Sequence, residues 1–428
     1  MPFATLGLHP AFFEAIQALG YAAPTPVQTE AIPAVLRGTD VLAQAQTGSG
    51  KTAAYALPLL QRLWEHPMAR GPHPVRTLVL VPTRELAQQV GDLLREVLRH
   101  LPRSTTDGPP PLKVAVVFGG VSINPQMMGL RGGADLVVAT PGRLLDLVDS
   151  GALWLNKVQH LVLDEADRLL DLGFADELRA VLALLPARRQ NLLLSATFPA
   201  EVQGLADALL RAPQRIQVPE TAADLSRIEQ HAYRVDTARR ATLLRHLIDA
   251  RGWRQTLVFV ASQYAAEHLA FKLNRGGLSA TAFHGGLTQG ARREVLAGFK
   301  HGEADVLVTT DLAARGIDIA QLPVVVNFDL PRSAVDYVHR IGRTGRAGAS
   351  GLAVSLVTAA RLAHWQLIQK RQQLALPLEV VPGFEPTEAD VPAAQDGDGN
   401  GGVKGKRPSK KDKLRAAAAL AAHSNGPR

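Results

Sequence analysis

The stretch Leu161-Val162-Leu163-Asp164-Glu165-Ala166-Asp167 constrains this chain more than any other. Three consecutive apolar residues leave no polar face, so a strand built from them suits burial on both sides, in the middle of a parallel sheet. Three carboxylates then crowd into four positions at that strand's carboxyl end, the edge at which open α/β sheets hold ligands. Such charges repel one another unless a cation lies between them, and Mg²⁺ with nucleotide phosphates meets that need. Taken alone, the stretch reads equally well as a solvated acidic turn.

A second stretch decides between the two. Ala45-Gln46-Thr47-Gly48-Ser49-Gly50-Lys51-Thr52 follows the apolar run Asp40-Val41-Leu42-Ala43 and opens a helical run from Ala53 to Leu63. Between a strand and a helix, the glycines let backbone N–H groups curl around phosphate oxygens. Lys51 then reaches the β- and γ-phosphates, and the Thr52 hydroxyl is placed to ligate Mg²⁺. Ala45 stands where the strict phosphate-loop pattern has glycine. With the later Asp164-Glu165 pair, the loop implies nucleoside-triphosphate hydrolysis, with Asp164 holding Mg²⁺ and Glu165 activating water.

The alternation of apolar run and helix repeats along the chain. Strands are expected at Thr77–Val81, Lys113–Phe118, Asp135–Ala139 and Asn191–Leu194, and a helix Ala200–Leu210 closes the unit. This is the signature of a doubly wound parallel sheet. Ahead of it, Leu8–Leu19 reads as a helix stopped by Gly20, and Pro26 begins another that runs to Leu36. Gln28 either caps that second helix or reads the edge of a base with its one donor and one acceptor. Residues 103–111 carry three consecutive prolines and read as a surface loop. Residues 213–227 read as a linker. A second β/α series begins near Ile228, with strands Thr256–Val260, Ala280–Phe283, Asp305–Val308 and Val324–Asn327 and no phosphate loop of its own. The expected division is an N-terminal segment 1–38, domains at 39–212 and 228–380, and a flexible basic tail 381–428. Two α/β units with one nucleotide loop imply a cleft between them.

Composition narrows the chemistry. The 428 residues suit two or three domains, and 46% hydrophobic content is enough for a large core. No cysteine is present, which excludes disulfides, thiolate catalysis and cysteine-based zinc sites. The formal net charge of +8 favours an anionic partner, nucleic acid or a membrane surface. Most of that charge, +5, lies beyond residue 394, in a segment too polar to hold a core. That tail reads either as a solubilising extension or as a sequence-independent RNA contact, with 411–422 able to become helical on binding. No targeting signal opens the chain and no apolar run approaches the ~18 residues of a membrane span, so a cytoplasmic protein is expected.

Several further runs occur in a fixed order: Pro82-Thr83-Arg84-Glu85-Leu86-Ala87, Thr140-Pro141-Gly142-Arg143, Ser195-Ala196-Thr197, Thr310 through Asp318, and His339-Arg340-Ile341-Gly342-Arg343-Thr344-Gly345-Arg346. With Gln28, the phosphate loop and Asp164-Glu165-Ala166-Asp167, they make the chain resemble the DEAD-box RNA helicases over about residues 3–380. The run Val117 to Met128 and Pro382-Gly383-Phe384-Glu385-Pro386 are most similar to the bacterial RhlE-like branch.

The resemblance implies two tandem RecA-like domains, ATP with Mg²⁺, and RNA as partner. It implies that Phe3 stacks on adenine, that Gln28 bonds its edge, and that Thr47, Gly48, Ser49, Gly50, Lys51 and Thr52 hold the phosphates. Asp318 would accept from the ribose, and Arg343 and Arg346 would act as arginine fingers from the second domain. Ser195 and Thr197, with Asp167 and His339 at the acidic cluster, would couple hydrolysis to domain closure. RNA would be held by Arg84, Gly120, Thr140, Gly142 and Arg143 in the first domain, and by Gly285, Gln289, Arg292 and Thr310 in the second. Hydroxyls, glycine backbones and arginines suit phosphate and sugar rather than base edges, so little sequence preference is expected. For Thr140 and Gly142 alone, a plain helix-start turn accounts for the residues as well. A monomer that separates short duplexes locally, in ribosome assembly or RNA decay, is the expectation. A DNA-directed motor of the same superfamily and a non-enzymatic RNA clamp or annealing scaffold are the rival readings.

Overall fold

The apolar runs form strands buried on both faces because their side chains alternate between two cores. In β2 (Thr77–Leu80) Val79 joins one core and Leu78 and Leu80 the other; in β5 (His160–Leu163) Val162 joins the first and Leu161 and Leu163 the second. Each of these leucines is fully buried, which contributes roughly 1.5–3 kcal/mol apiece. The computed structural model describes residues 2–46, 48–68, 71–102, 111–218, 228–314, 322–345 and 350–389.

The first sheet adds β1 (Val41–Gln44), β3 (Val114–Val117), β4 (Leu136–Ala139), β6 (Gln190–Ser195) and β7 (Gln214–Gln217). Its order is β3-β4-β2-β5-β6-β1-β7, with every pair parallel. The second sheet contains β8 (Ile228–Arg234), β9 (Thr256–Val260), β10 (Ala280–Phe283), β11 (Val306–Thr310), β12 (Val324–Asn327), β13 (Gly351–Val357) and β14 (Leu378–Glu379). It runs β10-β11-β9-β12-β13-β8-β14, again all parallel. Helices cover both faces of each sheet, as parallel strands require. The N-terminal helices are at Phe13–Ala18 and Pro26–Leu36, with Gly20 in the left-handed region between them (φ 72°).

Two boundaries differ from the sequence reading. Gln214–Gln217, read as linker, pairs with β1 as the edge strand of the first sheet. Its Gln-Arg-Ile-Gln run has only one apolar residue, and an edge position with only Ile216 buried needs no more. The second domain also extends past residue 380. Val381 and Phe384 pack on its core, and the Asp236 carboxylate accepts from the backbone N–H groups of Thr387 and Glu388 at 2.9 Å. The remaining linker residues 219–227, the proline-rich run 103–110 and the tail from 390 lie outside the described residues. No helix among the described residues is long and apolar enough to cross a membrane.

Candidate nucleotide and nucleic-acid sites

Strand order gathers the nucleotide residues. β6 lies between β5 and β1, so Ser195 at its end stands between the acidic turn and the phosphate loop. The Ser195 carbonyl accepts from Ala45 N–H at 3.1 Å, its Oγ accepts from Asp167 N–H at 3.2 Å, and its hydroxyl donates to the Thr197 carbonyl at 2.8 Å. Thr197 donates to Asp167 Oδ2 from its N–H (3.0 Å) and its hydroxyl (2.7 Å). One short loop thus links the phosphate loop to the acidic cluster.

The loop itself turns through Gly48 (φ 85°) and Gly50 (φ 91°). A Cβ on Gly50 would lie 2.4 Å from Gln28 Nε2. Gln28 serves as the cap: its Oε1 accepts from Thr25 N–H at 3.0 Å and its Nε2 donates to the Gly50 carbonyl at 3.2 Å. The structure thus shows the capping contact, and the same amide braces the phosphate loop. Phe3, expected on adenine, opens the N-terminal segment. Phe3 is buried, 6% exposed, in the first domain's core, with its ring stacked on Tyr21 at a centroid distance of 6.5 Å.

Lys51 opens the helix Lys51–Glu65 and donates to the Ala45 carbonyl, its side chain buried at the loop's centre. Tyr55, one turn later and fully buried, donates to Asp164 Oδ2 at 2.9 Å. The sequence reading did not include Tyr55; a tyrosine four residues after the loop lysine, on the same helix face, is the signal for it. Burial raises the Asp164 carboxyl above the usual carboxylate range, while Lys51 and the Tyr55 hydroxyl oppose that rise. Glu165 is raised too, first by burial and then by the Asp164 charge, with Lys51 and Arg343 pulling it down. Glu165 also has positive φ (49°), a strained conformation for a non-glycine residue at the turn into the helix Ala166–Asp171.

Arg343 stands in the second domain, so its charge reaches Glu165 across the cleft. His339, expected at the acidic cluster, meets the Arg168 guanidinium with its Nδ1, and the Asp167 charge acts on it. Arg168 is the first basic residue after that cluster, and it lies 3.6 Å from Asp336 of the second domain. Burial, then the Arg168 charge, lowers His339 to a pKa of about 4. Thr47, Asp318 and Arg346 lie outside the described residues. Among the described residues no cluster of three or more His, Cys, Asp or Glu could hold a metal by itself.

The other half of the first sheet, β3-β4-β2, gathers a second set. A cavity of about 350 Å³ is lined by Arg84, Gly120, Thr140, Gly142 and Arg143 of the first domain and by Gly285 and Arg292 of the second. Thr140 does not cap its own helix; its hydroxyl accepts from Gly119 N–H at 3.3 Å and joins two strand ends. Arg84 follows the helix cap Thr83 and lies 3.5 Å from the Gly120 carbonyl; a Cβ on Gly120 (φ 73°) would sit 1.9 Å from its guanidinium. Arg143 donates to the Val121 carbonyl at 2.7 Å. Arg292 crosses the cleft to Glu85 at 2.8 Å and lies 4.3 Å from the Phe283 ring centre. The sequence reading had no partner for Arg292. Gln289, first residue of the helix Gln289–Lys300, and Thr310, last of β11, are not among the lining residues.

Residues 25–205 match the DEAD/DEAH box helicase family, and residues 239–348 match the helicase conserved C-terminal domain. The chain belongs to the DEAD-box helicase family. Among curated relatives, the DEAD-box ATP-dependent RNA helicase CshA of Bacillus cereus is 39% identical over 356 residues, covering 83% of this chain and 65% of that protein. The chain therefore spans slightly less than two thirds of that relative. RhpA of Helicobacter pylori, also a DEAD-box ATP-dependent RNA helicase, is 37% identical over 378 residues, 88% of this chain and 73% of that one. The family's architecture recurs in the solved structure of S. cerevisiae Dbp5 bound to RNA and ADP BeF3: TM-score 0.75, 29% identity, 90% of this chain and 96% of that one covered.

Proposed function

We propose that the chain is an RNA-dependent ATPase that couples ATP hydrolysis to local separation of short RNA duplexes. The observation that carries this reading is the position of Glu165, whose carboxyl feels both Lys51 of its own domain and Arg343 of the other. A hydrolytic site that takes charges from two domains is completed only when the domains meet, so nucleotide and closure are linked.

The residues fit Mg²⁺. Asp164 and Thr52 are hard oxygen donors beside a phosphate loop, and Mg²⁺ takes few protein ligands when phosphates supply others. When bound, it neutralises charge that develops on the phosphates. Lys51 holds the β- and γ-phosphates, and the N–H groups of the loop cradle them. Glu165, kept less acidic by burial, accepts a proton from the attacking water. Arg343 stabilises charge on the leaving side, with Arg346 beside it in sequence. Ser195, Thr197 and Asp167 pass the state of the phosphate loop to the acidic turn, and through Arg168 to His339. RNA lies along the second cavity, held through phosphate and sugar by Arg84, Gly120, Thr140, Gly142, Arg143, Gly285 and Arg292, with Gln289 and Thr310 at its margins. Such contacts give little sequence preference. A cytoplasmic monomer in the RhlE-like branch is the setting that the motif runs and tail composition support.

The test is steady-state phosphate release from the full chain with single-stranded RNA, with matched DNA and with neither. RNA-specific stimulation that Glu165→Gln abolishes supports the proposal. Equal stimulation by DNA replaces it with a DNA-directed motor, and no turnover under any condition leaves an RNA clamp.

A further inference from the structure

The helix Gln263–Arg275, which follows β9, buries Ala266, Leu269, Ala270 and Leu273 against its sheet. Its outer face carries Tyr264, His268, Phe271 and Arg275 at the i, i+4, i+7 and i+11 spacing that aligns side chains in one row. Tyr264 is 75% exposed and Phe271 59% exposed. The Tyr264 and His268 rings lie nearly parallel, 9° apart, with centroids 5.7 Å apart, and the Arg275 guanidinium lies 5.9 Å from the Phe271 ring centre. Exposed aromatic rings carry a solvation cost that an ordinary surface position does not select. Lys272 adds a second cation to the exposed side. The helix's single acidic side chain, Glu267, is turned to His284, with 3.1 Å between Oε1 and Nε2.

This ridge starts at the cleft. Gln263, first residue of the helix, lies within 3.5 Å of where a Cβ on Gly285 would be, and Gly285 lines the cavity assigned above to RNA. Leu312, another cavity-lining residue, is 53% exposed. From Tyr264 to Arg275 the helix rises roughly 16 Å, at about 1.5 Å per residue, room for several stacked bases. Aromatic faces interleaved with cations are how proteins hold single strands without reading sequence. We infer that the Tyr264–His268–Phe271–Arg275 ridge is an extension of the RNA path, on which bases of a single strand leaving the cleft stack while Lys272 and Arg275 meet its phosphates.

The inference rests on the RNA reading of the cleft, and the experiment separates the two. Affinity of the full chain is measured for a single-stranded RNA just long enough to fill the cleft and for one several nucleotides longer. Wild type is expected to bind the longer RNA more tightly. Tyr264→Ala with Phe271→Ala is expected to lose roughly tenfold or more on the longer RNA, from the stacking of about one base per ring, with no change on the short one. Both side chains are exposed, so the double variant should fold; matching RNA-stimulated phosphate release on saturating short RNA verifies that it does. Equal affinity of the double variant and wild type for the longer RNA overturns the inference and assigns the ridge to a protein partner. Equal losses on both lengths also overturn it. Failure of wild type to bind either RNA overturns the reading of the cleft itself.

Discussion

His339 makes closure of the two domains sensitive to pH, with a sign and size that follow from its surroundings. Its ring is packed against Arg168 of the first domain, with Asp167, Asp336 and Arg343 as the other charges acting on it. Burial and Arg168 hold its pKa at about 4, against an ordinary 6.5. When the domains part, Arg168 leaves together with the burial that the first domain supplies, and the pKa rises toward the ordinary value. A depressed pKa means that the closed arrangement is favoured in full above pH 6.5 and loses that advantage as pH falls toward 4. At pH 5 a free histidine is almost wholly protonated and His339 in the closed state about one-tenth so. The difference costs closure at most about 2 kcal/mol, roughly thirtyfold in the closing equilibrium. The perturbation is His339→Gln, which keeps a polar side chain that does not titrate. Because the chain has no cysteine, one introduced on an exposed residue of each domain carries a dye pair, and energy transfer reports closure. Between pH 7.5 and 5 the wild-type closing constant should fall more than that of the variant, by up to about thirtyfold. Asp164 and Glu165 titrate in both proteins and cancel in the comparison. Identical pH dependence in the two proteins would refute the reasoning.

Two further substitutions test the separate halves of the first domain's carboxyl edge. Gly120→Ala puts a Cβ into the Arg84 guanidinium at a positive φ; RNA affinity should drop by about ten- to a hundredfold, the worth of one charged contact, as read by fluorescence anisotropy, while RNA-free ATP binding is unchanged. Tyr55→Phe removes the hydroxyl that donates to buried Asp164; denaturant unfolding of the first domain should show a loss of about 1.5–3 kcal/mol, and a variant as stable as wild type would show that Asp164 does not depend on that bond.

The sequence by itself determined the fold class and which residues are candidates for the site. Short apolar runs bounded by turn residues suit strands buried on both faces, and a glycine-rich turn between strand and helix suits a phosphate cradle. Each of Lys51, Asp164, Ser195, Thr140 and Gly120 stands at or just past a strand's carboxyl end, where local pattern alone placed it. Local pattern was silent on β7 and β14, which are short edge strands with few apolar residues, and on the extension through Glu388, which is held by the Asp236 carboxylate rather than by hydrophobic periodicity. Only the tertiary structure decided how the motifs are shared between sites. The order β3-β4-β2-β5-β6-β1 puts the ends of three strands at the cavity between the domains and the ends of three others around the phosphate loop, and strand order is a property of long-range pairing that no local run encodes. The same holds for side chains with two plausible partners. Phe3 packs in the core, and Gln28 bonds Thr25 and Gly50, contacts that only the folded domain supplies. Arg292 met Glu85, and His339 met Arg168, because two domains distant in sequence were brought face to face.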